Sequence, residues 1–472
     1  MQKIKMIGLV LLAGIVICGA AAYKENPEKI TLRDFTMAMD HSGMTGWHNG
    51  KKQWQMQAGS VIKEQDKVIF RDVHNGMFMR DGQSPVQFHA SLAEYNKEKG
   101  YIDFPEGLAF IVDDQSITIG KANWSEKDNR LTAEKISIAK ADGIELKAEK
   151  MIFESTVNCL TWQGPLNIIK SSEKDHKLVI TTNQANYFPQ EKKWQMDTQA
   201  EIKVFEGELL LCVIQTSHMV FQTDGAQVSF LDKVNITGES FSGECSKATL
   251  NDSILIGEDV HLYHNKLGML TAGSMSATRD EHYLFRNGVT CSRGNGDRIE
   301  AMQADVDSNY DMKFSNAWGV VFGKKETKIR AATLVYHQNQ DVAANGEVEV
   351  NRDEIILQSD SMDISSESSM IIANGNVVVQ DGKGNVINTT RAKHDGKDRI
   401  SFTGNVSIKQ NNGTLVNGDF AEYDEKNKQI FVKGNVKAVK ADGRWLKADV
   451  MQYDIEGRKT EFTGQVESGI NE

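Results

Sequence analysis

Along most of the chain, apolar and polar residues alternate one by one. In Ile400-Ser401-Phe402-Thr403-Gly404-Asn405-Val406-Ser407-Ile408 the apolar residues and the glycine hold one phase and the polar residues the other. Ile430, Val432, Gly434 and Val436 keep that phase, as do Val377 and Val379, and, far upstream, Ile102, Phe104, Leu108, Phe110 and Val112. Period two is the period of a strand, whose successive side chains leave opposite faces, so each segment predicts a strand with one apolar and one wetted face. Helical spacing is confined to the amino-terminal leader.

The strands recur at a fixed interval. Gly346-Glu347-Val348, Gly375-Asn376-Val377, Gly404-Asn405-Val406, Gly434-Asn435-Val436 and Gly464-Gln465-Val466 follow one another at steps of 29, 29, 30 and 30. Weaker members lie upstream at Gly319, Gly288 and Gly257. Such regularity means one supersecondary unit stacked many times. Asp-containing turns precede the glycine, as in Tyr423-Asp424 and Tyr453-Asp454. Asp381-Gly382, Asn412-Gly413 and Asp442-Gly443 follow the strand and predict two-residue hairpins, because Asn-Gly and Asp-Gly supply the positive φ that tight reversals need. Lys140-Ala141-Asp142-Gly143, with Leu146, Ala148 and Met151, repeats the wording of Lys440-Ala441-Asp442-Gly443, with Leu446, Ala448 and Met451, at an offset of 300. The repeat therefore reaches both ends of the body, although its glycine is often lost between residues 60 and 250.

One-sided strands cannot leave their apolar faces in water, since burial is worth about 25 cal/mol per Å². Two sheets must face one another, and hairpins in every unit favour an antiparallel stack over a parallel β-helix. Sandwich and jelly-roll arrays both satisfy this. The inward residues form either a packed core or the lining of a groove. The glycines share the apolar phase, and glycine inside a strand marks a bend or the close approach of another molecule.

Composition narrows the setting. The 472 residues are 40% apolar and 25% charged, with five prolines, none beyond Pro189, which suits strands paired on both sides. A net charge of -11 without clustered Lys and Arg argues against a nucleic-acid partner. Lys3 and Lys5 precede an uncharged run from Met6 to Tyr23, which predicts one amino-terminal transmembrane or signal helix with the body outside the cytoplasm. Ala20-Ala21-Ala22 would suit cleavage, and Cys18 a lipid anchor. All three place the body in the periplasm, with a single-pass inner-membrane protein, amino terminus cytoplasmic, as the leading expectation. Cys159, Cys212, Cys245 and Cys291 match no zinc spacing and allow either two disulfides or buried thiols.

Candidate chemistry is sparse. His261 and His264 fall on opposite faces of a strand, so solvated histidines are expected there and no metal site. The acidic residues recur at turns, where their side chains bond local backbone. With no nucleophile elbow, phosphate loop or Cys-x-x-Cys, the expectation is a non-enzymatic protein without a cofactor.

The Gly-Asn-Val units and their Ala-x-x-Tyr-Asp turns, as in Ala421-Glu422-Tyr423-Asp424 through Phe431-Val432-Lys433-Gly434-Asn435-Val436, resemble the organic-solvent-tolerance-type domain of lipopolysaccharide-transport bridge proteins. The leader, with Gly46-Trp47 to about Ile168, is similar to the membrane-anchored C component of that system. The resemblance implies an all-β fold, an elongated open β-jelly roll of stacked antiparallel repeats of about thirty residues, with acyl chains between its sheets. It implies an anchor or signal over 1–23, a C-component-like jelly roll over 24–170, a divergent β-repeat region over 171–330 and an A-component-like jelly roll over 331–472. The implied function is carriage of lipopolysaccharide from the inner towards the outer membrane. Its partners would be the inner-membrane ABC transporter complex, other bridge components and the outer-membrane translocon. The groove would be lined by Ile102, Phe104, Leu108, Phe110, Val377, Val379, Ile400, Phe402, Val406, Ile408, Ile430, Val432 and Val436. The competing expectation is a structural or adhesive β-repeat scaffold without lipid cargo.

Overall fold

A computed structural model describes residues 37–470, apart from 65, 81, 113–114, 142–143, 172–175, 224, 252–253, 279, 323–325 and 456–458. The leader with Cys18, the Asp142-Gly143 turn and residues 456–458 of the turn after Tyr453 lie outside the described residues. Among those described there are thirty-six strands and one short 3-10 turn, Pro189–Glu191, so the expected all-β class holds. The repeat is also as expected: each period holds two antiparallel strands, such as Arg399–Lys409 with Leu415–Asp424 and Gln429–Val439 with Arg444–Asp454. The chain divides into two compact units, Met1–Ile138 with Lys150–Asn158, and Ala139–Glu149 with Cys159–Glu472.

The smaller unit is filled by aromatic side chains. Phe78 stacks on Phe88 and on Trp124, at ring separations of 4.3 and 4.2 Å, and Phe104 meets Phe78 and Phe88 edge-on. Trp54 packs on Tyr95 and donates its Nε1–H to Glu126 at 2.7 Å. Such pairs add about 0.5–1.5 kcal/mol each beyond the area they bury.

In the larger unit each strand turns a corner midway. Between residues 193 and 251 the turn breaks the strand outright: Lys193–Met196 pairs with Met219–Gln222, while Ala200–Glu206 pairs with Leu209–Thr216. The halves thus belong to separate ladders, which is how two facing sheets arise from one run of chain. Fully buried Trp194, Ile202, Ile214 and Phe230 lie between them. The corner there is fastened by Thr182, whose hydroxyl meets the Thr198 hydroxyl at 2.9 Å, and by Thr216, which donates to the Asp232 carbonyl at 3.0 Å. Here the hydroxyls hold the corner without the repeated glycine.

Further on, the corner is a β-bulge at the repeated glycine. Gly404-Asn405 stands between the pairs Thr403↔Phe420 and Val406↔Gly418, so two residues oppose the single Asp419. Both residues of the dipeptide have positive φ at Gly375-Asn376, Gly404-Asn405 and Gly434-Asn435. Asn tolerates this conformation better than other side chains, and a bulge bends its strand. The preceding strand secures the bend: Asn376 Nδ2 donates to Asp360 Oδ2 at 2.9 Å and Asn435 Nδ2 to Asp419 Oδ2 at 2.7 Å. A Cβ on Gly434 would lie 2.5 Å from Asp419 Oδ2, and Asp419 is exposed. The glycines therefore face the outer surface at a corner. This corrects the reading in which they share the inner face and leave room for another molecule.

The turns also differ from expectation in length. Gln410 N–H donates to Thr414 O and Gly413 N–H to Gln410 O, both at 2.9 Å, so Asn411-Asn412-Gly413 is a three-residue loop with its glycine at φ +82. Ala441-Asp442-Gly443 has the same form, and after Asp381 the left-handed position belongs to Gly384, not Gly382. Asn-Gly and Asp-Gly do mark the reversals, but in three-residue loops closed by a left-handed glycine, which Asn412-Gly413 and Asp442-Gly443 supply themselves and Asp381-Gly382 does not. The Asp side chains bond local backbone as expected: Asp424 Oδ1 accepts from Asn427 N–H at 2.9 Å and Asp395 Oδ1 from Lys397 N–H at 2.9 Å. Cys159, Cys212, Cys245 and Cys291 form no disulfide with one another.

Candidate functional site

Within the larger unit, cross-strand pairs line up into rows that can be followed strand by strand along the inner face. One row, nearer the turns before the glycine strands, passes Tyr283, Val306, Met312, Tyr336 and Val342, then Ile364, Ile371, His394, Ile400, Tyr423, Ile430 and Tyr453. The other, nearer the opposite turns, passes Leu270, Cys291, Ile299, Gly319, Ile329 and Val350, then Leu357, Val379, Ile387, Ile408, Val416, Ala438 and Leu446.

Exposure changes along both rows at about residue 350. Tyr336 is 1% exposed, Val342 2% and Val350 5%. Beyond them Ile364, Ile371, Ile400, Tyr423, Ile430 and Tyr453 in the first row are half-buried, and so are Leu357, Val379, Ile387, Ala438 and Leu446 in the second, where only the neighbouring Ile408 and Val416 stay buried. Deeper positions stay covered: Ala373, Val377, Phe402, Val406, Ala421, Val432, Val436, Ala448 and Met451 are buried. The interior from 355 to 454 is thus an apolar floor of small and medium side chains between two lips of half-exposed apolar residues. A fully packed core would cover the lips; here they offer apolar area to water that an apolar occupant can cover.

The residues expected to line a groove divide between two settings. Val377, Phe402, Val406, Val432 and Val436 lie buried on this floor, Val379, Ile400 and Ile430 form its lips, and Ile408 stands in the second row but is buried. Ile102, Phe104, Leu108 and Phe110 are buried in the smaller unit, where Phe104 belongs to the aromatic cluster. Sequence reasoning passed over the lip residues Ile364, Ile371, Leu357, Ile387 and Leu446. It also treated Tyr423 and Tyr453 as turn markers only, although a tyrosine at each strand end suits a boundary between apolar surface and water.

The two ends of the strands meet over the interior between residues 262 and 342. Lys266 Nζ stands 3.9 Å from the Tyr310 ring centre, and the Tyr310 hydroxyl is bound to Glu281. The Arg293 guanidinium lies 4.2 Å from the Tyr336 ring centre, and the Tyr336 hydroxyl is bound to Asp297. Asn295 Nδ2 reaches Gln340 Oε1 at 3.5 Å. Beyond residue 342 the turn contacts join neighbours on one side: Ser366 N–H to Asp341, Asn411 N–H to Asn385 and Glu425 N–H to Asp398.

The titratable groups here follow their surroundings. Glu281 beside its hydroxyl raises Tyr310 to about 12, and burial raises Tyr283 to about 12 and the Cys291 thiol to about 12. Burial lowers His264. Its ring packs against Tyr310 and Tyr283, and its Nδ1 accepts from Lys266 N–H at 3.2 Å. His264 is fully buried while His261 is exposed, so the opposite-face placement holds but the expectation of two solvated histidines is corrected.

No protein-family model matches the sequence, and no curated protein matches it either. Among solved structures, one similarity is to LptH, the LptA-homologous periplasmic component of the conserved lipopolysaccharide transport device from Pseudomonas aeruginosa. The identity is 14%, the match covers 25% of this chain and 95% of that one, and the TM-score is 0.23. A score that low lends no weight to any reading of fold or activity.

Proposed function

We propose that this chain is a non-enzymatic periplasmic carrier of lipopolysaccharide, which holds the lipid's acyl chains against the floor and lips between residues 355 and 454. The observation that carries the reading is the passage of the first inner row, and of the second except at Ile408 and Val416, from buried to half-buried near residue 350, which leaves an apolar trough with accessible edges. The resemblance of the Gly-Asn-Val units to the bridge domains of lipopolysaccharide export supports the choice of lipid. On this reading the partners are the inner-membrane ABC transporter complex, further bridge components and the outer-membrane translocon.

The mechanism is transfer between equivalent sites. Each methylene taken from water contributes about 0.8 kcal/mol, so several acyl chains cannot cross the aqueous gap unprotected. Apolar lip residues recur in every period, so a bound chain can pass from one period to the next with little change in free energy. Its anionic sugar remains in water. The driving work comes from a partner, here the ABC transporter.

The test is a photo-crosslinking amino acid at Ile371 or Ile430 on the lips, compared with Lys393 or Lys433 on the outer face. Lipopolysaccharide captured in cells from the lip positions alone is the expected result. Capture equal at both faces, or none at the lips in a folded protein, overturns the carrier and favours a scaffold without cargo.

A further inference from the structure

Lys266 and Arg293 lie in turns at one end of the strands, Tyr310 and Tyr336 in or beside turns at the other. An extended strand of eleven residues spans about 36 Å. Contacts of 3.9 and 4.2 Å between opposite ends therefore require both arms of the bent strands to close over the interior. Beneath these contacts the inner rows are apolar and covered, as they are not further along. The cover is nonetheless imperfect. Nε and Nη2 of Arg293, its side-on fork of donors, are buried and find no hydrogen-bond partner, and neither does Nε2 of the fully buried His264. Close by, an unfilled apolar cavity of about 30 Å³ is bordered by Ile236, Phe241, Leu255, Leu262, Met275 and Tyr283.

We propose that the interior between residues 236 and 350 is a second acyl-chain compartment, shut by a gate made of the Lys266–Tyr310–Glu281 and Arg293–Tyr336–Asp297 ties. This rests on the carrier reading and adds to it a compartment and its control. Both ties are polar and join groups that water can also satisfy, so opening exchanges protein contacts for hydration while the apolar strands below stay paired. Buried donors without partners disfavour the shut state. The cavity, with room for about one water molecule, is a place where side chains leave this interior unfilled. An entering chain would restore the apolar contact that water withholds once the gate opens.

The experiment uses the full-length protein and lipopolysaccharide carrying an acyl-chain diazirine, with crosslinked residues mapped by mass spectrometry. In the wild type, labelling is expected on residues 355–454 and not on Leu270, Cys291 or Ile299. A variant with Lys266→Gln, Tyr310→Phe, Arg293→Gln and Tyr336→Phe should label those three at least tenfold more, with labelling of 355–454 retained. Because four changes can impair folding, Tyr336→Phe alone, which keeps the ring and removes only the hydroxyl, is measured in parallel. In it Cys291, as the sole remaining cysteine, should react with a maleimide several-fold faster than in the protein with Tyr336. Equal labelling of both regions in the wild type overturns the gate, as does a folded variant that labels only 355–454 and reacts no faster at Cys291. Absence of labelling at 355–454 in every protein overturns the carrier reading itself, and the compartment with it.

Discussion

Gly434 and Gly288 both have positive φ, +74 and +81, but a Cβ at Gly288 would meet open space while one at Gly434 would meet Asp419. The left-handed conformation costs a non-glycine residue about 1–2 kcal/mol. Gly288→Ala should therefore lower stability by about 1 kcal/mol, and Gly434→Ala by about 2 kcal/mol once the Asn435–Asp419 bond is also disturbed. Urea midpoints of the two variants decide whether the acid clamp matters. His264 makes a second prediction at this scale. Burial holds its pKa below the ordinary 6.5, partly opposed by Glu281, so the unfolded chain takes up a proton before the folded one does. Its contribution is complete above pH 6.5 and falls away as the pH drops towards the folded value. The urea midpoint should decline between pH 7 and 5 in the wild type, and less in His264→Gln. The alternation placed His264 on the apolar phase, but a lone histidine gives no sign of the tyrosines from distant turns that bury it.

At the scale of the element, the corner makes one strand serve two sheets. Phe402 lies before the bulge and Val406 after it, and both are buried, while Thr403 between them is exposed. Phe402→Asp should cost several kcal/mol, on the order of 3 or more, because an unpaired carboxylate enters the apolar floor, whereas Thr403→Asp should change stability by less than about 0.5 kcal/mol. Chemical denaturation of the purified variants measures both. The strand phase, the period and the floor were legible in the alternation, since period two determines which face a residue takes. The corner was not: glycine in the apolar phase has the same spelling whether it lines a trough or closes a bulge, and only the clamping Asp, fifteen residues earlier in Asp419…Gly434 and Asp360…Gly375, separates the two. Sequence spacing likewise gave no hint of which strand ends close over the interior, because the cation–ring contacts Lys266–Tyr310 and Arg293–Tyr336 join residues more than forty positions apart.

For the whole molecule, stability should be uneven. The smaller unit buries Trp54, Phe78, Phe88, Phe104 and Trp124, while the periods after residue 355 bury chiefly alanine, valine and single larger residues, with apolar lips left half-covered. Opening free energy follows local apolar burial. Amides of Val86–Asn96 should exchange more slowly than those of Val386–His394 or Leu415–Asp424, by on the order of tenfold or more. Added lipopolysaccharide should slow the later strands selectively. Hydrogen exchange followed by mass spectrometry reads both effects, and uniform exchange across the chain would contradict this ledger of side chains.

The bulge and its clamp also bear on how such a chain can change its length. Glycine strands alternate with clamping strands, which bring Asp360 to Asn376, Thr389 to Gly404 and Asp419 to Asn435, so each bulge is fastened by the strand just before it. The smallest piece that can be copied or lost without stranding a bulge is thus a pair of strands, never one. Removal of residues 376–404 would join Gly375 to Asn405, restore Gly-Asn-Val at the seam and return Asp360 to an asparagine partner. Removal of a single strand would set two bulges side by side and turn every later side chain to the wrong face. Copy number in this array is therefore free to vary in whole periods, and a gene carrying it can lengthen or shorten the trough by unequal recombination without inventing a new contact.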